Sequence, residues 1–158
     1  MDIVYKTATE KFKYRVSAVI CSEDRLLAVY NEEGDYYYLP GGKVQLGEAA
    51  ETAILREMEE ELGVTPKILR PLWFNQSFFT EAVNGFRYHE LCVYFLLDVS
   101  ETDLPTRGER FAVQEGSKTH HLEWLPFDRL QQETLHPAFL KQDVYNLPRT
   151  FTLRSETE

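Results

Sequence analysis

Short apolar runs separated by polar turns make up most of the chain, and one long amphipathic stretch interrupts them. Tyr14 to Cys21 and Leu26 to Tyr30 are β-branched or aromatic runs on either side of the polar Ser22 to Arg25, which predicts a hairpin. Tyr36 to Leu39 leads into Pro40-Gly41-Gly42, where proline ends a strand and the glycines permit a positive φ or a close backbone approach. From Ala50 onward the 3.6-residue period aligns Leu55, Met58 and Leu62 on one stripe, so a helix is expected, with Gly63 as its C-terminal cap and Pro66 soon after. Two long strands follow at 67–79 and 86–99, joined through Asn84-Gly85, a good hairpin signal. Residues 101–118 are polar and read as a long loop. A last strand at 119–125 is followed by a short helix from Asp128 to 132 and a second from Pro137 to 142. Strands on both sides of a helix, with more helix at the end, predict an α/β fold, an α/β/α sandwich around a mixed sheet. The expected organisation is one domain over 1–142 and a partly disordered tail over 143–158.

Charge changes this picture at one place. Residues 42–64 hold six Glu, one Lys and one Arg, so this segment alone carries −4 of the net −9. Glu57, Glu60 and Glu61 form a line on the expected helix, about a third of a turn from the apolar stripe. Glu57 and Glu61 are like-charged i, i+4 neighbours, and all three lie near a helix C-terminus, where the macrodipole disfavours anions. Local stability therefore argues against this arrangement. A hard divalent cation reverses the argument, because oxygen ligands suit Mg²⁺ and Mn²⁺ and the cation supplies the missing positive charge.

The same stretch fills every slot of the Nudix box: Gly42, Glu48, Arg56-Glu57, Met58, Glu60-Glu61, Gly63 and Val64. The chain therefore resembles a Nudix hydrolase, MutT-like in pattern, and the resemblance implies the Nudix-type α/β/α sandwich. It also implies metal-dependent hydrolysis of a diphosphate linkage in a nucleoside diphosphate joined to another group. By the resemblance Glu57, Glu60 and Glu61 take the metal-ligand slots, the carbonyl of Gly41 joins them, and Mg²⁺ is the expected cofactor, with Mn²⁺ able to substitute. Arg56, at i, i+4 from Glu60, is read as orienting that carboxylate. Glu48 is read as an outer hydrogen-bonding residue at the helix start. The general base is expected to be a box glutamate or a loop glutamate. Glu115 is the loop candidate, since Glu115-Gly116 resembles a Glu-Gly pair of the MutT branch, and Glu101 and Glu109 compete with it. His120 and His121 open the final strand, where alternation sends one ring to each face.

The substrate is less legible. Arg15 is a candidate phosphate or ribose contact, and Phe79 is a candidate for stacking on a base. An acidic surface argues against long nucleic acids, which need basic patches, so the expected partner is a small nucleotide-type substrate. No run of 18 apolar residues or signal peptide stands out, and Cys21 and Cys92 read as reduced thiols. A cytoplasmic monomer or homodimer away from membranes is the expectation. Two other functions compete. A silent ligand-binding module on the same fold would often lack a box carboxylate, and an isomerase of prenyl diphosphates would need a catalytic cysteine in a site loop.

Overall fold

A computed structural model describes residues 1–158. Two six-stranded mixed sheets lie side by side. The first is built from β1 (Val4–Lys6), β2 (Glu10–Val19), β8 (Arg87–Asp98), β7 (Lys67–Thr80) and β12 (Thr152–Thr157), in that order, with β6 (Gly41–Lys43) added alongside β2. The second runs β11 (Leu135–His136), β5 (Tyr36–Tyr38), β4 (Arg25–Asn31), β10 (Lys118–Pro126) and β9 (Arg110–Glu115), with β3 (Cys21–Ser22) alongside β4. Helix α1 (Ala50–Leu62) covers one side. The 3-10 segment Phe127–Gln132 and the short helix α2 (Leu140–Asp143) close the other.

Alternation along the strands supplies both cores. Val16, Ala18 and Ile20 pack with Leu27, Val29, Leu122 and Trp124 against Ala53, Ile54, Met58 and Leu62 of α1. Val19, Leu26, Ala28 and Leu125 point the other way, toward Leu130, Leu140 and Val144. Each sheet thus contributes to both cores, and the expected α/β/α layering holds. Of the predicted helical stripe, Met58 and Leu62 are buried and Leu55 is only half-buried, because Ala53 and Ile54 face the core instead. Gly63 caps the helix at φ 67°, its N–H donating to the Glu59 carbonyl.

Several expectations need correction. The predicted first hairpin does not pair its two long runs. β2 joins the first sheet parallel to β8, and only Cys21-Ser22 turns back on β4, so the chain crosses between sheets near Ile20. The 101–118 segment is not a loop throughout: Arg110–Glu115 is a strand paired with β10, its Phe111 and Val113 packing on the core. The tail is ordered at its end, with Thr152–Thr157 pairing in parallel with β7 from Trp73 to Phe78. The hairpin expected through Asn84-Gly85 does form, β7 and β8 pairing antiparallel out to Thr80 and Arg87, with a wider turn that the Glu81 N–H closes on the Phe86 carbonyl. No helix is long and apolar enough to cross a membrane.

A buried carboxylate fixes the second sheet on the face away from α1, where the 3-10 segment packs. Glu123 is 4% exposed. It accepts from the Tyr37 hydroxyl at 2.7 Å and from Arg129 Nη1 at 2.6 Å. Burial pushes its pKa up, and the Tyr37 and Arg129 hydrogen bonds outweigh that, so the net direction is down. The network holds β5, and through it the Leu39-Pro40 link that delivers Gly41 to β6. Arg129→Ala is expected to cost about 2–4 kcal/mol, since it leaves the buried carboxylate with only the exposed Arg110, 3.3 Å away, as its cation. Urea unfolding at neutral pH measures this, and the deficit should shrink under acid conditions, where Glu123 is protonated.

Candidate active site

The backbone that carries the acidic line of α1 against the sheet is glycine for a steric reason. A Cβ on Gly41 would strike the Val16 carbonyl and lie 2.9 Å from the Ser17 Cα, so β6 could not approach β2 with a side chain there. A Cβ on Gly42 would fall within the Glu57 carboxyl group itself. The Gly-Gly step therefore makes room for a carboxylate to lie on bare backbone.

Arg56 organises the helix side. Its Nε and Nη2 donate to Glu48 at 2.7 and 2.9 Å, a two-pronged pair, while Nη2 also reaches the Lys43 carbonyl at 3.0 Å. Nη1 donates to Glu57 at 3.0 Å and Glu60 at 3.2 Å. The expected link to Glu60 is thus present, but Glu48 is the closer partner. Glu48, also bonded to the Gln45 N–H at 3.0 Å, lies outside the acidic line and anchors the arginine.

The acidic line is poorly compensated. Burial pushes the Glu61 carboxyl up to about 8, with Glu57 adding repulsion, a Gly41 backbone hydrogen bond opposing, and Glu115 repelling further. Glu57 is raised mainly by burial, partly offset by Arg56. No three His, Cys, Asp or Glu side chains converge into a closed cage. Glu57 and Glu60 both lean toward Arg56 Nη1. The donor set nonetheless fits a hard dication: all oxygen, partly buried, short of positive charge and lying on a glycine backbone. Mg²⁺ sites of this kind are completed by water and substrate phosphates rather than by protein alone.

Glu115 lies at the end of β9, before Gly116, rather than on a loop. Its charge is felt at both Glu57 and Glu61, so the hairpin brings it to the acidic edge of α1. His120 Nε2 lies 2.8 Å from Glu115 Oε1, while His121 turns outward, 3.6 Å from Glu32. Glu101 pairs with Lys67 at 2.9 Å, and Glu109 is exposed.

Arg15 faces the same region from the first sheet, and its guanidinium makes no hydrogen bond or ion pair within the chain. Burial lowers its pKa, and Cys92, Glu90, Tyr94 and Glu61 together raise it further than burial lowers it. The Cys92 thiol, pushed up to about 11 by burial, is neutral near pH 7. Glu90 is therefore the formal charge it meets near pH 7, and Glu61 joins it as that carboxyl ionises at higher pH. Tyr38, which sequence reasoning missed, completes the approach from the second sheet: burial raises its pKa, and the next influence is Glu61. The Tyr36-Tyr37-Tyr38 run flagged an aromatic strand end, but only the alternation of β5 tells which ring turns to the site. Phe79 is stacked on Tyr88 at 4.9 Å with an interplanar angle of 3°, so one of its faces is already covered.

Comparisons with known proteins identify the family. The NUDIX domain matches residues 11–145, and the chain belongs to that family. An ADP-ribose pyrophosphatase of Methanocaldococcus jannaschii is 28% identical over 116 residues, 72% of this chain and 66% of that protein. An 8-oxo-dGTP diphosphatase of Escherichia coli is 54% identical over 28 residues, 18% of this chain and 22% of its own length. The chain thus spans just under two thirds of the first and about a fifth of the second. Among solved structures, a MutT protein from Bacillus halodurans superposes with a TM-score of 0.64 at 16% identity, covering 90% of this chain and 89% of that one.

Two outcomes follow. Gly42→Ala should displace the Glu57 carboxyl, the mobile end of a flexible side chain, at little cost to the fold. Divalent-cation binding, followed by calorimetry, should weaken while the thermal midpoint measured without cation moves little. For pH, the folded pKa of Glu61 lies above its ordinary 4.5, so folding favours the protonated form. Its contribution is fully present below about 4.5 and is lost as pH rises through about 8. Without divalent cation the thermal midpoint should fall between pH 5 and pH 8. Glu61→Gln should flatten that fall, and millimolar Mg²⁺ or Mn²⁺ should reverse it at pH 8.

Proposed function

We propose that this protein is a divalent-metal-dependent hydrolase that cleaves the diphosphate linkage of a nucleoside diphosphate joined to another group. The observation that carries this reading is the acidic edge of α1. Glu57 and Glu61 lie half-buried against Gly41–Gly42, Glu57 sharing Arg56 with Glu48 and Glu60 and Glu61 making no ion pair, and Glu115 is added to them across the fold rather than kept away. Stability alone gives no reason to gather these charges. The names of the two curated relatives, a pyrophosphatase and a diphosphatase, support the same reaction class.

In this reading Glu57, Glu60 and Glu61, with the Gly41 carbonyl, hold Mg²⁺, for which Mn²⁺ can substitute. When bound, the metal neutralises diphosphate charge and lowers the pKa of coordinated water. Arg56 positions Glu57 and Glu60 while its own charge is spent on Glu48. Arg15, with no partner in the chain, meets a phosphate oxygen from the sheet side. Glu115 accepts the proton of the attacking water, and His120, 2.8 Å away, fixes its carboxylate orientation. A box glutamate is the other candidate for that proton. Phe79 and Tyr88 form an aromatic wall at the outer end of the same sheet face. The small ligand these groups suit is of nucleotide type, and the net charge of −9 does not favour long nucleic acids.

A panel of nucleoside triphosphates and nucleotide sugars with Mg²⁺ or Mn²⁺ tests the proposal. Triphosphates should give monophosphate and pyrophosphate, and nucleotide sugars should give monophosphate and sugar phosphate. Oxygen from labelled water should appear on phosphorus, and excess chelator should abolish turnover. Glu61→Gln and Glu57→Gln should lower kcat by about 100-fold or more without loss of fold. Full activity in chelator, or label entering a sugar carbon, would overturn the reading. A silent ligand-binding module would show no turnover across the panel.

A further inference from the structure

The C-terminal strand β12 lies beyond residues 11–145, the part of the chain that matches the NUDIX domain. It nevertheless extends the sheet face on which Arg15 lies. The strand registers define two adjacent rows across four strands. One row runs Arg154, Asn75, Cys92, Arg15, and the next runs Glu156, Ser77, Glu90, Lys13. One end of this polar floor meets the acidic edge of α1 through Arg15 and Glu61. The other end is Glu156.

Glu156 is held there. Asn75, 1% exposed, donates from Nδ2 to Glu156 Oε1 at 2.6 Å, and Ser77 donates to the same oxygen at 3.4 Å. Asn75 Nδ2 also lies 3.1 Å from the Ser77 oxygen. Two acceptors are left over: Glu156 Oε2, which has no partner in the chain, and Asn75 Oδ1, which is buried without one. Orphaned acceptors beside an anion destabilise a fold, and such groups gather where a ligand supplies the missing donors. β12 is itself fastened for the purpose. Arg154 stacks on Phe139 at 3.8 Å and pairs with Asp143 at 3.1 Å, so the strand cannot slide without breaking both contacts.

We propose that Glu156, positioned by Asn75, is a specificity-determining residue that accepts hydrogen bonds from adjacent N–H donors on the base of the substrate. The proposal rests on the hydrolase reading, with the diphosphate at Arg15 and the acidic edge of α1. From there to Glu156 is three strand spacings across and two residues along, about 16 Å. An extended nucleoside diphosphate bridges that span, and a phosphate-linked ribose alone does not, which assigns the carboxylate to the base. A carboxylate selects an edge with two neighbouring donors. Guanine offers an imino and an amino N–H side by side, hypoxanthine lacks the amino group, and uracil flanks its one N–H with carbonyls that Glu156 would repel.

The test compares GTP, ITP and UTP as substrates of the full chain, with dGTP as a control for contacts to the ribose. The wild type should prefer GTP over ITP by about tenfold or more in kcat/KM, and dGTP should track GTP. Glu156→Gln, which turns an acceptor into a donor, should erase that preference through KM rather than kcat. An unchanged preference in Glu156→Gln, no preference in the wild type, or a preference for ribose over deoxyribose that vanishes in the variant would each overturn the assignment. If no nucleotide is hydrolysed, it is the hydrolase reading that fails. Calorimetric binding of GMP against IMP, to wild type and to Glu156→Gln of equal thermal midpoint, then decides the base assignment by itself.

Discussion

Arg56 is the interaction on which the rest of the site depends. A single half-buried guanidinium ties the loop before α1, through Glu48 and the Lys43 carbonyl, to the helix residues Glu57 and Glu60. An arginine suits this place because its planar fork can meet Glu48 with two parallel bonds and still present another N–H to the acidic edge. Lysine, a point donor on a flexible stem, would lose the two-pronged pair. The consequence is a division of labour among carboxylates of one charge type. Glu48 neutralises Arg56, Glu57 and Glu60 share what remains, and Glu61 receives almost none.

This division explains why the acidic edge is unstable by itself yet well placed. Glu57 lies on the backbone of Gly42, where no other residue leaves room, and Glu61 is buried near Tyr38 and Arg15. The two hydrophobic cores hold the arrangement against repulsion. Ile54, Met58 and Leu62 lock α1 down on one side, and the Tyr37–Glu123–Arg129 network locks β5 on the other. Packing energy, spread over many contacts, sustains an unfavourable electrostatic cluster confined to a few residues.

The helix, its cap, the Gly-Gly approach and the long β7 and β8 strands were legible because each rests on local chemistry: a 3.6-residue period, a left-handed cap, a proline and an absent side chain. What was not legible depends on partners distant in sequence. Arg110–Glu115 alternates in period two, so Phe111 and Val113 carried a strand signal that the surrounding Pro105, Gly108 and Gly116 masked. The tail at Thr152–Thr157 is a polar edge strand, and nothing in its composition names β7 as its partner. The tyrosine run likewise marked a strand end without showing that the face of Tyr36 and Tyr38, not that of Tyr37, turns toward α1, with Tyr38 the ring that feels Glu61.

The chain crosses between the two sheets at Leu39-Pro40, since β5 belongs to one and β6 to the other. Gly41 is therefore the first residue after that crossing, and the acidic edge of α1 lies directly over the seam. Arg15 approaches from the sheet on one side of the seam, Tyr38 and Glu115 from the sheet on the other. The distances that matter for chemistry are thus set by the angle between two sheets rather than by any one loop. A group that touched both sides would be held by two sheets at once, so its fit would depend on packing throughout both cores rather than on one loop.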